Sequence, residues 1–336
     1  MKTMKVLDKP FTRSLILSSF VLLAPCGAMA NDSSASLQTG GIDLVYNDKI
    51  AMKQEDLFLS KSEVRVRYLF ENKTAQDVEI LVAFPLPDIE TGEGGNYVIQ
   101  AADPINFINF EVAVDGKTVT PSVQARATSL GVDITALLLK HHLPLTTIMA
   151  NDDAQTKFYD DLGRLPAEAL SELERYGAIT RADGGPGKPP DVNPQWTTDI
   201  TFYWLQKFPA GKTIEVTHKY RPVPRVFFTS SEEMATAEMR KRYCPDNSFL
   251  NAAEAAQKTG ALQGVELRYI VKTARNWSGP IGQFALTIDK EDPKSLLSTC
   301  FDGLKKTGPT SFAATKKDYS PDDDLGVVLL DVVKSP

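Results

Sequence analysis

Apolar and polar residues alternate with a period of two along several stretches of the chain. Val64, Val66 and Tyr68 alternate with Arg65, Arg67 and Leu69, the pattern of a strand with one buried face. The runs at 57–59 and 78–84 share this texture, and Asn72-Lys73-Thr74 reads as a turn between two antiparallel strands. Pro85 and Pro87 end the pairing, because proline has no N–H to give to a ladder. Asp115-Gly116 predicts a tight hairpin between strands at 110–114 and 117–120.

The texture changes after Arg126. Asp133 is placed to cap a short helix over 134–141, and Pro166 opens a second that runs to Tyr176, with Gly177 just past its end. Ala169, Leu170, Leu173 and Tyr176 form an apolar stripe on that helix, so it docks by one face. Residues 183–194 are rich in Gly and Pro and read as an exposed loop. Alternation resumes at 197–207 and 213–220, read as a hairpin joined across Phe208-Pro209-Ala210-Gly211-Lys212. Ser230 or Ser231 caps a helix over 232–242 and Ser248 caps another over 249–258. Strands return at 265–273, 281–289 and 325–333.

The predicted fold is therefore mainly β: an antiparallel β-sandwich, one large or two packed, with helical insertions. Because the sheet resumes after the first helices, residues 126–193 form an insertion in a β-sandwich domain spanning 31–225. A helical segment and a C-terminal β region occupy 226–336.

Residues 1–30 stand apart from this pattern. Lys2, Lys5, Lys9 and Arg13 precede an apolar run at 15–24 and then Ala28-Met29-Ala30, the layout of a secretory signal peptide cleaved after Ala30. Leu23-Ala24-Pro25-Cys26 loosely resembles a lipidation box, with Pro25 a poor fit to it. No later run reaches the roughly 18 to 20 apolar residues of a membrane span. The expectation is a periplasmic or secreted protein without a transmembrane segment. Removing the leader leaves 33 basic and 42 acidic residues, a net charge of −9, which argues against nucleic acid and anionic lipid as partners. Cys244 and Cys300 are then the only cysteines, and in an oxidising compartment they most simply form one disulfide.

Candidate chemistry is sparse. His141 and His142 are neighbours near a helix end and point roughly 100° apart, so they do not aim at one metal. His218 shares the alternating face of Ile214 and Val216, the place of a packed structural histidine. No nucleophile elbow, His-Glu-x-x-His or phosphate-cradling glycine loop occurs, and no cofactor or metal is implied. Asp160 and Asp161 are the carboxylates best placed for an alternative reading, a hydrolase acting on envelope glycan or peptide. Trp196, Phe202, Tyr203, Trp204 and Phe208 crowd one segment and put rings on both of its faces. With Trp277, in a turn beside Ser278-Gly279-Pro280, Trp196 and Trp204 make up a candidate binding surface.

Met52-Lys53-Gln54-Glu55-Asp56-Leu57, Val82-Ala83-Phe84-Pro85-Leu86-Pro87, Trp204-Leu205-Gln206-Lys207-Phe208-Pro209 and Asn276-Trp277-Ser278-Gly279-Pro280 resemble the bacterial secreted family called domain of unknown function 4424. So do Cys300-Phe301-Asp302-Gly303 and the stretch from Asn31 to Ile42. The resemblance implies an exported, mostly β protein and supplies no catalytic residues. The arrangement of strands, hairpin and helical excursion is also similar to the N-terminal β-sandwich domain of vault and inter-alpha-trypsin-inhibitor proteins, for architecture alone. Together these readings lean away from an enzyme and toward a module that binds another envelope or secreted macromolecule.

Overall fold

The computed structural model describes residues 32–38, 41–91, 101–185 and 190–333. The expected leader, residues 1–30, lies outside them. An eight-stranded central sheet runs in the order Lys305–Lys306, Ser311–Tyr319, Ile281–Asp289, Ile50–Leu59, Val64–Asn72, Thr213–Tyr220, Glu111–Val114 and Lys117–Val119. A second sheet runs Val132–Asp133, Ser122–Ser129, Thr197–Phe208, Val78–Pro85, Ser33–Gln38 and Gly41–Leu44, with Ile89–Glu90 also paired to Thr197–Phe208. A third contains Arg225–Thr229, Ala261–Tyr269, Leu325–Val333 and Leu296–Thr299.

Alternation dictates which face of the central sheet is buried. Val64, Val66, Tyr68 and Phe70 point inward from one strand, and Ile214, Val216, His218 and Tyr220 from its neighbour. On Ile50–Leu59 the register shifts between Met52 and Gln54, a β-bulge that leaves Lys53 as the extra residue. Without the bulge, Ile50 and Met52 would face opposite to Leu57 and Leu59; with it all four are buried, and Glu55 is carried inward with them. The inward rings and branched chains form one apolar cluster with Phe84, Phe202, Trp204 and Phe208 of the second sheet and Leu267, Val327 and Leu329 of the third. Two sheets thus cover one face of the central sheet, and among the described residues no sheet covers its other face.

The mainly β fold with interspersed helices follows the sequence reading, but the pairing departs from it in particular places. The strands on either side of Asn72-Lys73-Thr74 do not pair: Val64–Asn72 lies in the central sheet and Val78–Pro85 in the second. Thr197–Phe208 and Thr213–Tyr220 likewise fall in facing sheets instead of forming a hairpin. At both crossings the chain has an inward face on each side of the core, which local alternation cannot distinguish from a hairpin. Asn72, fully buried, secures the first crossing by donating to Gln76 O at 2.8 Å and Phe208 O at 2.9 Å. The 110–120 hairpin forms as expected, with Asp115 and Gly116 both at positive φ.

Ile281–Asp289 pairs parallel with Ile50–Leu59, an exception to the antiparallel expectation. This pairing also carries the sheet across the boundary expected at 225/226. In the insertion, helices Thr135–Lys140, Asp152–Gly163 and Ala167–Arg175 build a separate apolar cluster with Trp196; Tyr176 lies outside its buried stripe. Part of the expected 183–194 loop is a strand, Asp191–Pro194, paired to Ile179–Ala182. The expected 232–242 helix is two: Ser231–Met234, capped by Ser230, and Ala237–Tyr243, capped by Thr236. The helix after it, Asn247–Gln257, is capped by Asp246 rather than Ser248.

Candidate functional site

The outer face of the central sheet carries a groove of about 950 Å³ that crosses six strands, from Ile281–Asp289 to Lys117–Val119. At about 4.8 Å per strand spacing it is roughly 24 Å across. Register arranges its surface in two rows. One reads Ala285, Asp56, Arg67, Thr217, Ala113 and Thr118; the other reads Thr287, Phe58, Arg65, Lys219 and Glu111. These are the residues that alternate with the core positions, so the pattern that buries Val66 and His218 also exposes Arg65, Arg67 and Lys219.

The charged groups of the groove hold one another. Arg67 Nε donates to Glu215 at 2.7 Å and its Nη1 donates to Asp56 at 3.1 Å. The hydrogen bond to Glu215, with that to Asp56, holds the guanidinium charged beyond its ordinary range. Arg65 pairs with Glu63 at 2.8 Å and lies over the Phe58 ring at 4.3 Å, and Lys219 approaches Glu63 at 3.8 Å. Half-exposed pairs of this kind contribute no more than about 1 kcal/mol each to folding. Their larger effect is to fix donors and acceptors in place, which lowers the ordering cost of binding. Sequence reading assigned Arg65 and Arg67 to a solvent face without singling them out; the usable signal was opposite charge at outward positions of several alternating strands.

Behind the groove, the inner face holds a polar cluster. Tyr269 Oη donates to Glu55 Oε1 at 2.9 Å and lies 2.9 Å from Tyr68 Oη. His218 is fully buried, with Phe84, Phe110, Trp204 and Tyr68 presenting rings 5.0 to 5.7 Å away. Its Nε2 lies 3.4 Å from Asp32 Oδ1. Burial pushes the imidazole down to about 3 and raises the Asp32 carboxyl well above the usual carboxylate range, with Glu55 adding repulsion. The two side chains are sealed from solvent and complete no hydrogen bond with one another, so His218 is the packed histidine its strand position indicated.

The tryptophan surface read from the sequence is corrected. Trp196 and Trp277 are 1% exposed and Trp204 5%. Trp204 lies on the inward face of its strand, and Trp196 sits under the helical insertion with its Nε1 donating to Leu145 O at 2.7 Å. Trp277 packs 4.8 Å from Phe70 and donates from Nε1 to Asp32 O at 2.9 Å. Each indole finds more apolar contact inside than any turn position offers, and two of the N–H groups are satisfied by backbone carbonyls. Tyr203 and Leu205 remain on the outer face, Leu205 openly exposed.

The carboxylates proposed for hydrolysis do not converge. Asp160 pairs with Arg164 at 3.5 Å and Asp161 with Lys157, each across one helical turn, and the four side chains are more than half exposed. Consecutive helical residues point about 100° apart, so this pair does not flank a bond. His141 accompanies Lys140 in binding Glu172, with Nε2 2.8 Å from the carboxylate. No group of three or more metal-ligating side chains occurs among the described residues. Cys244 and Cys300 form the expected disulfide, with a Cα–Cα distance of 4.9 Å. No helix among the described residues is long and apolar enough to cross a membrane.

Comparison with solved structures gives a crystal structure from Legionella pneumophila, described as a candidate nutrient binding protein. It aligns with a TM-score of 0.46 and 14% identity over 90% of this chain and 71% of that chain. No curated protein sequence matches the chain. The profile of the family described as Domain of unknown function (DUF4424) matches residues 30–328, nearly the whole length, and the chain belongs to that family.

Proposed function

We propose that the protein is an exported, non-enzymatic binding module of the bacterial envelope or secreted fraction, and that the outer groove of its central sheet receives a segment of another envelope or secreted macromolecule. The observation that carries this reading is the groove itself: an open trough across six strands whose charged side chains are fixed by cross-strand ion pairs. Its Asp56 is matched to Arg67, and the buried side chains of the titratable groups behind it are sealed from it. That arrangement suits recognition by shape and fixed hydrogen-bonding groups better than proton transfer. Export is supported by the disulfide and by the start of the family match at residue 30, beside the expected cleavage site.

The test is position-specific photo-crosslinking in cells that make the protein. A photoreactive residue at Thr217, in the groove, is expected to give a discrete adduct that disappears when Arg67→Glu is added. The same residue at Leu205, on the outer face of the second sheet, is expected to give none. Identical adducts at both positions, or no adduct at Thr217, would remove the groove from consideration.

A further inference from the structure

The third sheet gathers three arginines around one buried carboxylate. Arg225 lies directly opposite Glu266 in the register of Arg225–Thr229 with Ala261–Tyr269, and Arg268 follows two positions along the same strand, on the same face. Gly326 lies opposite Arg268 on the next strand, so no side chain flanks it there. Helix Ala237–Tyr243 ends beside this face and brings Arg242 and Tyr243 to Glu266.

One arginine is enough to answer the glutamate. Arg242 Nη2 donates to both carboxylate oxygens, at 2.8 and 3.0 Å, its Nε donates at 3.2 Å, and the Tyr243 hydroxyl adds a further hydrogen bond. The Glu266 side chain, 2% exposed, is thereby paired and hydrogen-bonded as a buried charge requires. Arg225 Nη1 and Arg268 Nε each stand 4.0 Å from a Glu266 oxygen, beyond hydrogen-bond reach, and their side chains are 51% and 60% exposed. Their donors are not spent on the glutamate. Three arginines against one glutamate leave a local surplus of positive charge in a chain whose net charge is −6. Asp88 faces Arg268 and Glu238 faces Arg242 from outside the four, and the Asp88 carboxyl is hydrogen-bonded to Asp199. Diagonal neighbours on one sheet face sit roughly 7 to 8 Å apart, and like charges so placed repel. An anion between Arg225 and Arg268 relieves that repulsion. We infer that these two residues clamp a phosphate-type dianion, the free phosphate or monoester group of a small soluble molecule, with the Arg242–Glu266 pair as the inner wall of the site. Two planar forks meet the oxygens of a tetrahedral dianion from two sides, and its charge matches theirs. The site lies on the third sheet and is independent of the groove on the central one.

Isothermal titration calorimetry of the whole protein with inorganic phosphate, at constant ionic strength, is the test. Saturable binding is expected, weakened roughly 10-fold by Arg225→Gln or by Arg268→Gln and lost in the double variant. Lys258→Gln, which removes the same charge from an exposed helix, is expected to bind as wild type does, and acetate is expected not to bind. Both arginine variants should melt with wild type, because each side chain is more than half exposed. Phosphatidylcholine vesicles containing phosphatidic acid are expected not to retain the protein; retention that the double variant abolishes would overturn the assignment to a soluble ligand. No saturable phosphate binding by wild type, unchanged affinity in a folded double variant, or acetate binding as tight as phosphate would overturn the inference.

Discussion

The disulfide offers the most quantitative test of how the C-terminal half is held. Cys244 follows helix Ala237–Tyr243 in a left-handed conformation, and Cys300 follows strand Leu296–Thr299. The bridge spans 56 positions of sequence and encloses helix Asn247–Gln257 and strands of both the third and the central sheet. For a loop of this length the chain-entropy relation gives about 4 kcal/mol of stabilisation, through restriction of the unfolded chain. With an unfolding entropy of about 2.1 cal/mol/K per residue and about 300 residues, that corresponds to a fall in Tm of roughly 6 °C. Differential scanning calorimetry of Cys244→Ser, Cys300→Ser and the double variant under non-reducing conditions is the assay. All three are expected to fall by the same amount, since each loses one and the same bond, and reduced wild type should melt with them. Free-thiol titration of denatured, unreduced wild type should find none. A fall of less than about 2 °C, or additive losses in the double variant, would refute the loop-closure argument.

Further outcomes follow from particular groups. Asp88 is half-buried and hydrogen-bonded to Asp199; burial first, then that neighbour, raises its carboxyl to about 7. Its folded-state value lies above the unfolded one, so the native state loses stability as pH rises from about 4 through 7. Asp88→Asn removes that loss and should raise the unfolding free energy measured by urea titration at pH 8 by about 2 kcal/mol after allowance for solvent screening, with little gain at pH 4. Because all three indoles are interior, native fluorescence should emit at short wavelength and resist iodide, and Trp277→Ala should cost about 3 to 5 kcal/mol in denaturant unfolding. Arg67→Ala should change folding stability by less than about 1 kcal/mol while abolishing the groove adduct; a large fall in stability would make the residue structural. Asn72→Ala, which strips the buried crossing of its side-chain bonds to Gln76 and Phe208, should cost about 2 to 4 kcal/mol by thermal melt.

Much of the local architecture was legible in the residue pattern. Alternation at Val64, Val66 and Tyr68 marked both the buried face and, by complement, the outward Arg65 and Arg67 of the groove. Asp115-Gly116 dictated a hairpin because consecutive positive φ angles are cheap for that pair. Two cysteines beyond the expected leader left one simple pairing. These signals act over a few residues, or by count, and need no knowledge of what lies opposite.

Tertiary structure alone decided the rest. A period-two pattern states that one face is covered but not by which sheet, so the strands flanking Asn72, and those flanking Pro209, read as hairpins yet cross between layers. The parallel pairing of Ile281–Asp289 with Ile50–Leu59 depends on partners more than two hundred positions apart, and the bulge at Lys53 on a register with Val64–Asn72 that alternation does not state. The tryptophans read as a candidate binding surface because one sits in a turn and the segment of the other two carries rings on both faces, where sheet core is the competing reading; packing against Phe70, the helical insertion and the Asp32 carbonyl places all three inside. Burial is a property of the closed core, where apolar area leaves water only once distant segments meet.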